Sequence, residues 1–190
     1  MCLLRLLGQT VPSLVLAASL AACAPGSGLP PLPPPAATGY RLGPGDSVRL
    51  ITVGDEALTG EFRVSDSGTI ALPMLGPVRA AGLRPAELER AIARALVKAG
   101  LEEQPSVAAE IVTYRPIFVL GEVNKPGQFP YEPGMTVLAA VALAGGFTYR
   151  AVDGYAAVVR DQNGQRIEAR AAREALLQPG DVVTVLERRF

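Results

Sequence analysis

Few side chains in this 190-residue chain could do chemistry. There is no His and no Trp, and the cysteines are Cys2 and Cys23. Without His the chain has no imidazole for proton transfer and lacks the commonest metal ligand. A zinc site, a Cys–His nucleophile and a Ser-His-Asp triad are therefore excluded. Carboxylates, Lys, Tyr and Ser remain. Two carboxylates could cleave a glycosidic bond, and Glu61 with Asp66, or Glu122 with Asp153, are the pairs to weigh. No motif sets either pair across a cleft, and acidic residues at this density read as a solvated surface. Gly43-Pro44-Gly45 and Gly145-Gly146 do not match the G-x-x-x-x-G-K-[ST] phosphate loop, so nucleotide binding has no support. Eighteen basic residues against 18 acidic ones argue against a partner held by phosphate neutralisation, so no nucleic acid is expected. No cofactor or metal is expected, and the composition points away from an enzyme.

Cys23 is the one residue with a specific chemical reading. Residues 1–22 carry a single charge, Arg5, followed by an apolar stretch from Val11 to Ala22. A basic start, an apolar centre and small residues before a cleavage point make a secretory signal. The stretch is too short to span a bilayer, which takes ~20 apolar residues. It ends in Leu20-Ala21-Ala22-Cys23, which resembles the bacterial lipobox. That resemblance implies that Cys23 becomes the N-terminus and carries acyl chains. The residue after it is Ala24 rather than Asp, which in similar lipoproteins points to the outer membrane. Residues Ala24–Gly39 then hold six prolines: Pro25, Pro30, Pro31, Pro33, Pro34 and Pro35. Such a stretch is expected to form neither helix nor ladder. As extended polyproline II it would be a spacer of up to ~50 Å.

The elements behind this leader divide into two units. In the first, Tyr40–Thr113, the Gly43-Pro44-Gly45-Asp46 turn launches a central strand over Ser47–Val53. Strands at Glu61–Val64 and Thr69–Leu72 flank Ser65-Asp66-Ser67-Gly68, a hairpin signal. Pro85 opens a helix whose Leu88, Ala91, Ile92, Ala95, Leu96 and Ala99 form one stripe, and Gly100 stops it. Ser106–Thr113 is a strand with Val107, Ala109 and Ile111 on one face. The second unit, Tyr114–Phe190, begins with an apolar strand over Ile117–Val123, the Lys125-Pro126-Gly127 turn and a short strand at Gln128–Tyr131. Thr136 caps a helix through Ala144 that Gly145-Gly146 ends. Strands at Tyr155–Arg160 and Arg166–Arg170 flank an Asn163-Gly164 turn. Leu177-Gln178-Pro179-Gly180-Asp181 then leads into Val182–Leu186. The Pro-Gly-Asp turn thus occurs once per unit. The role expected for Asp46 and Asp181 is structural, as strand-launching turn residues.

The order of these motifs resembles a family. Tyr40-Arg41-Leu42-Gly43-Pro44-Gly45-Asp46, then Ser67-Gly68-Thr69-Ile70-Ala71-Leu72-Pro73-Met74-Leu75-Gly76-Pro77-Val78, looks like the opening of the polysaccharide export domain. Val119-Leu120-Gly121-Glu122-Val123-Asn124-Lys125-Pro126-Gly127-Gln128-Phe129 and Ala144-Gly145-Gly146 resemble the soluble-ligand-binding (SLBB) β-grasp domain that follows it. The fold class expected is α+β: an export-type α/β sandwich over 40–113 and a β-grasp-like domain over 114–190. A signal peptide over 1–22 and a lipidated tether over 23–39 would precede them. The resemblance implies an outer-membrane lipoprotein of capsule or exopolysaccharide secretion on the periplasmic face. It implies an oligomeric ring through which a polysaccharide passes, without bond chemistry, and an inner-membrane copolymerase or kinase as partner.

Larger members carry further ligand-binding-type domains and a C-terminal amphipathic helix that lines the membrane pore. Here one such domain is apparent, and the sequence stops at Leu186-Glu187-Arg188-Arg189-Phe190. The expectation is a ring or adaptor that hands polymer to a separate outer-membrane β-barrel. The alternative is a glycan-binding or scaffolding lipoprotein that forms no conduit. Tyr131, Phe147, Tyr149 and Tyr155 are the aromatics available for stacking on sugars, although core and rim positions suit them better.

Overall fold

A computed structural model describes residues 25–35, 39–162 and 164–188. Cys23 and the lipobox residues Leu20, Ala21 and Ala22 lie outside the described residues, as does Asn163 of the second hairpin turn. Two separate hydrophobic cores are present, one per unit.

In the N-terminal unit β1 (Ser47–Thr52) is the centre of a three-stranded antiparallel sheet. Its neighbours are β2 (Gly60–Arg63) and β5 (Val107–Thr113). Alternation puts Val48 and Leu50 inward, 0% and 1% exposed. They meet the apolar stripe of α1 (Pro85–Lys98), whose Leu88, Ile92 and Leu96 are buried. Burying each such side chain contributes about 1.5–3 kcal/mol. Pro85 fits the first turn of α1 because its missing N–H would have no partner there. Glu87 accepts the Arg84 N–H at 2.9 Å, which satisfies one of the end groups.

The turn over Ser65–Gly68 forms, with Ser65 N–H donating to Thr69 O at 2.8 Å. The strands beside it are not a hairpin. β2 pairs with β1, while β3 (Thr69–Leu72) pairs with β4 (Gly76–Arg79), a strand the sequence pattern does not announce.

The C-terminal unit is a five-stranded mixed sheet. β6 (Ile117–Gly121), β7 (Gly127–Phe129), β8 (Tyr155–Gln162), β9 (Gln165–Ala172) and β10 (Val182–Val185) lie in the order β7-β6-β10-β8-β9. β6 and β10 run parallel at the centre, and the other pairs are antiparallel. α2 (Val137–Leu143) adds Val137, Ala140 and Val141 to the core, and the Thr136 hydroxyl caps it by accepting from Ala139 N–H at 3.2 Å. Gly121 must be Gly: its φ is +82°, and a Cβ there would overlap the Val185 carbonyl oxygen of the parallel neighbour. This is the expected α+β class, with two small β-rich units in series.

The Pro-rich stretch departs from the spacer expectation. Leu32 N–H donates to Arg170 O at 2.8 Å, and Arg170 N–H donates to Pro30 O at 2.7 Å. Pro31 thereby makes a parallel bridge to Arg170 on the free edge of β9. This single bridge forms because Pro31 occupies the position whose N–H would point away from the sheet. Leu32 packs against the C-terminal core, and the Tyr155 hydroxyl holds Pro25 O at 2.7 Å. Residues 25–35 are a strap that covers an edge strand.

Candidate functional site at the junction of the two units

The two Pro-Gly-Asp turns meet at the boundary between the cores. Each Asp closes its own turn and holds a second segment as well. Asp46 is fully buried, and its carboxylate accepts from Gly43 N–H (2.7 Å), the Tyr40 hydroxyl (2.5 Å) and Arg115 N–H (2.8 Å). Arg115 opens the C-terminal unit, so this last bond joins the units. Asp181, 1% exposed, accepts from Gln178 N–H at 2.8 Å in the same relation to its own turn. It also pairs with buried Arg160, with Nη2 at 2.7 Å and Nε at 3.0 Å. Arg160 also donates from Nη2 to Leu176 O (2.9 Å) and from Nη1 to Pro33 O of the strap (3.1 Å). Four of the five guanidinium N–H groups are thus bonded, the satisfaction a buried ion pair requires.

Arg115 ties the two turns to each other. Its Nε donates to Pro179 O at 2.9 Å, and its guanidinium lies 5.9 Å from the centre of the Tyr40 ring. A Cβ on Gly43 would run into the Arg115 guanidinium, and one on Gly180 would sit 2.9 Å from Nε. Both turns need Gly for this approach. Tyr40, Tyr114 and Tyr131 line the joint edge-to-face, with centroids 5.1 Å and 5.5 Å apart. Burial, and then the bond to Asp46, push the Tyr40 phenol well above its ordinary range. Burial also raises Tyr131.

The remaining motif residues assemble elsewhere. Gly121 ends β6, and Gly127 begins β7 after Pro126. The loop between these strands docks on the exit of α2. Asn124 Nδ2 donates to Gly145 O at 2.7 Å, Asn124 N–H to Gly146 O at 3.1 Å, and Lys125 N–H to Ala144 O at 2.8 Å. Two motifs about 20 residues apart in sequence form one cluster, joined further by Thr148 Oγ1 donating to Glu122 at 2.5 Å.

The carboxylates weighed for hydrolysis are occupied or scattered. Glu61 pairs with Arg49 at 2.7 Å, Asp153 with Arg188 at 3.3 Å, Glu122 holds Thr148, and Asp66 is exposed on its turn. The four aromatics do not form one platform. Tyr131 and Phe147 pack on the C-terminal core, Tyr155 holds the strap, and Tyr149 is 87% exposed.

Sequence reasoning missed Arg115, Arg160 and the strap. Arg160 leaves a signal, a cation that directly follows the apolar run Ala156–Val159 within the strand. Arg115 leaves only its place before Pro116.

The junction of matched turns joins two small modules into one chain. Comparison with known proteins supplies its family. Residues 34–112 match the polysaccharide biosynthesis/export protein model, and residues 116–168 match the SLBB domain model. The chain belongs to the polysaccharide export family, with an export domain followed by an SLBB domain. It is 35% identical over 161 residues to the exopolysaccharide production protein ExoF of Rhizobium meliloti (strain 1021). It is 31% identical over 109 residues to the polysialic acid transport protein KpsD of Escherichia coli. These alignments cover 78% and 56% of this chain, but 35% of ExoF and 19% of KpsD. The chain therefore spans about a third or less of these relatives. Among the described residues no helix is long and apolar enough to cross a membrane.

Proposed function

We propose that this protein is a lipid-anchored component of capsular or exopolysaccharide export on the periplasmic face of the outer membrane. Signal cleavage over 1–22 leaves Cys23 acylated, and two or three chains hold far better than one because each buried CH₂ contributes ~0.8 kcal/mol. Copies assemble into a closed ring that serves as conduit or adaptor for the polymer. A separate outer-membrane β-barrel completes the path, and an inner-membrane copolymerase or kinase supplies the polymer. The protein itself makes and breaks no bond.

One observation carries this reading. An export domain and an SLBB domain occur in series, in a chain similar to proteins named for exopolysaccharide production and polysialic acid transport. The structure adds a physical reason to treat the two domains as one working part. The Arg115 N–H donates to the Asp46 carboxylate across their boundary.

The test is the mass of the protein extracted in mild detergent from cells fed radiolabelled palmitate. The reading predicts a labelled closed oligomer, with the label lost in Cys23→Ser. An unlabelled monomer would refute the anchored ring and leave a glycan-binding or scaffolding role.

A further inference from the structure

Two adjoining clefts along α1 are lined mainly by cations. The N-terminal one, of about 400 Å³, lies between Arg41, Leu83, Glu87, Arg90 and Arg94. The C-terminal one, of about 340 Å³, shares Arg94 and adds Val97, Lys98 and Pro105. From Glu87 to Lys98 the helix runs ~16 Å at ~1.5 Å per residue, so the two together make a groove long enough for a linear ligand.

The carboxylates of α1 are committed to the fold. Glu87 accepts from Arg84 N–H at 2.9 Å and from Arg41 at 3.3 Å. These bonds, first the backbone N–H of Arg84 and then the charges of Arg84, Arg41 and Arg90, hold its carboxyl below the usual range. Glu89 accepts Ala109 N–H at 2.9 Å. Arg90, Arg94 and Lys98 follow at i, i+4 and i+8, all exposed. Among the described residues none of the three has a carboxylate within ion-pair distance. Like charges at this spacing are mutually unfavourable in an isolated helix. Arg90 spends its Nε on Ala86 O at 3.0 Å and keeps its terminal nitrogens, so a row of cations without ion-pair partners over an apolar floor of Leu83 and Val97 suits a ligand that has carboxylates and the apolar faces of sugar rings. Guanidinium groups bind carboxylates with two parallel hydrogen bonds.

We propose that this groove binds an anionic, carboxylate-bearing stretch of the exported polysaccharide, with Arg90 and Arg94 holding its acid groups. This assignment rests on the export reading and adds the substrate's charge class to it.

The experiment is calorimetric titration of the full chain, purified in detergent, with hexameric oligogalacturonate and with maltohexaose as the neutral counterpart. The result expected is binding of oligogalacturonate that weakens with salt, falls by about tenfold or more in Arg90→Gln/Arg94→Gln, and is unchanged in Arg49→Gln on the far sheet face. Equal binding of the two oligosaccharides, no binding of either, or an unaffected double variant would overturn it. A double variant that loses its oligomeric state while still binding would overturn it too, and would make the groove a subunit contact. The export reading is judged separately, by whether a deletion strain loses surface polymer. Export can therefore stand while the groove assignment fails.

Discussion

Asp181→Asn should cost the C-terminal domain much of its stability. The carboxylate and the Arg160 guanidinium are each 1% exposed and 2.7 Å apart. Asparagine keeps the oxygen that accepts from Gln178 N–H and Arg160 Nη2, but it removes the counter-charge and sets an amide NH2 against Arg160 Nε, so the buried guanidinium is left unneutralised. Breaking one side of a buried pair costs ~3–5 kcal/mol, against a total stability of ~5–15 kcal/mol for a domain. For a chain of this size each kcal/mol shifts Tm by ~2–4 °C, so a drop of ~6–20 °C is expected. Asp66→Asn, on an exposed turn, should stay within ~0.5 kcal/mol. Removing both charges, in Arg160→Met/Asp181→Asn, should recover part of the loss because no charge is left stranded. The assay is thermal unfolding together with amide exchange, reading Val183 for the core and Leu32 for the strap. Asp181→Asn should speed exchange at both. A Tm within ~2 °C of wild type, or a double variant no more stable than the single one, would refute the reasoning.

Three further outcomes follow from the geometry. Arg115→Met should loosen the joint, because it loses the bond to Pro179 O and the contact with the Tyr40 ring while its backbone N–H still holds Asp46; calorimetry should show a lowered Tm with both cores intact, and an unshifted transition would contradict the side chain's role. Tyr40 has a folded-state pKa above its unfolded value of ~10, so its contribution is full below that pH and is lost as pH rises further. Wild type should therefore lose more stability than Tyr40→Phe between pH 10 and 11.5 or so, as read by denaturant midpoints. Leu88→Ala empties a fully buried site between α1 and β1 and should cost ~2–5 kcal/mol, confined to the export domain and measured by amide exchange of Leu50.

Local chemistry made much of the fold legible. Pro85 and the Leu88–Ile92–Leu96 stripe marked α1, and Thr136 with Gly145-Gly146 marked α2. The alternation of Val107, Ala109 and Ile111 marked β5. Pairing was less legible, because it is settled by distant partners. Ser65–Gly68 reads as a hairpin turn, yet β1 claims β2, and β3 is left to pair with β4. The strap was misjudged for a different reason. A proline run suggests an unpaired chain, but only the Leu32 N–H and the Pro30 carbonyl face β9, so the prolines do not block the one bridge to Arg170. At the junction, the turn chemistry foretold that Asp46 and Asp181 would shape their strands. That each would also clamp a second segment depends on Arg115 and Arg160, whose positions carry no motif.

Under the proposed function, the protein moves polysaccharide to the cell surface and depends on acylation of Cys23 to do so. This is tested most directly by measuring surface and cell-retained polymer in a deletion strain, with and without complementation by the wild-type chain or by Cys23→Ser. The account predicts loss of surface polymer in the deletion, restoration by wild type and no restoration by Cys23→Ser. Normal surface polymer in the deletion strain, in a cell with no second copy of the gene, would contradict it.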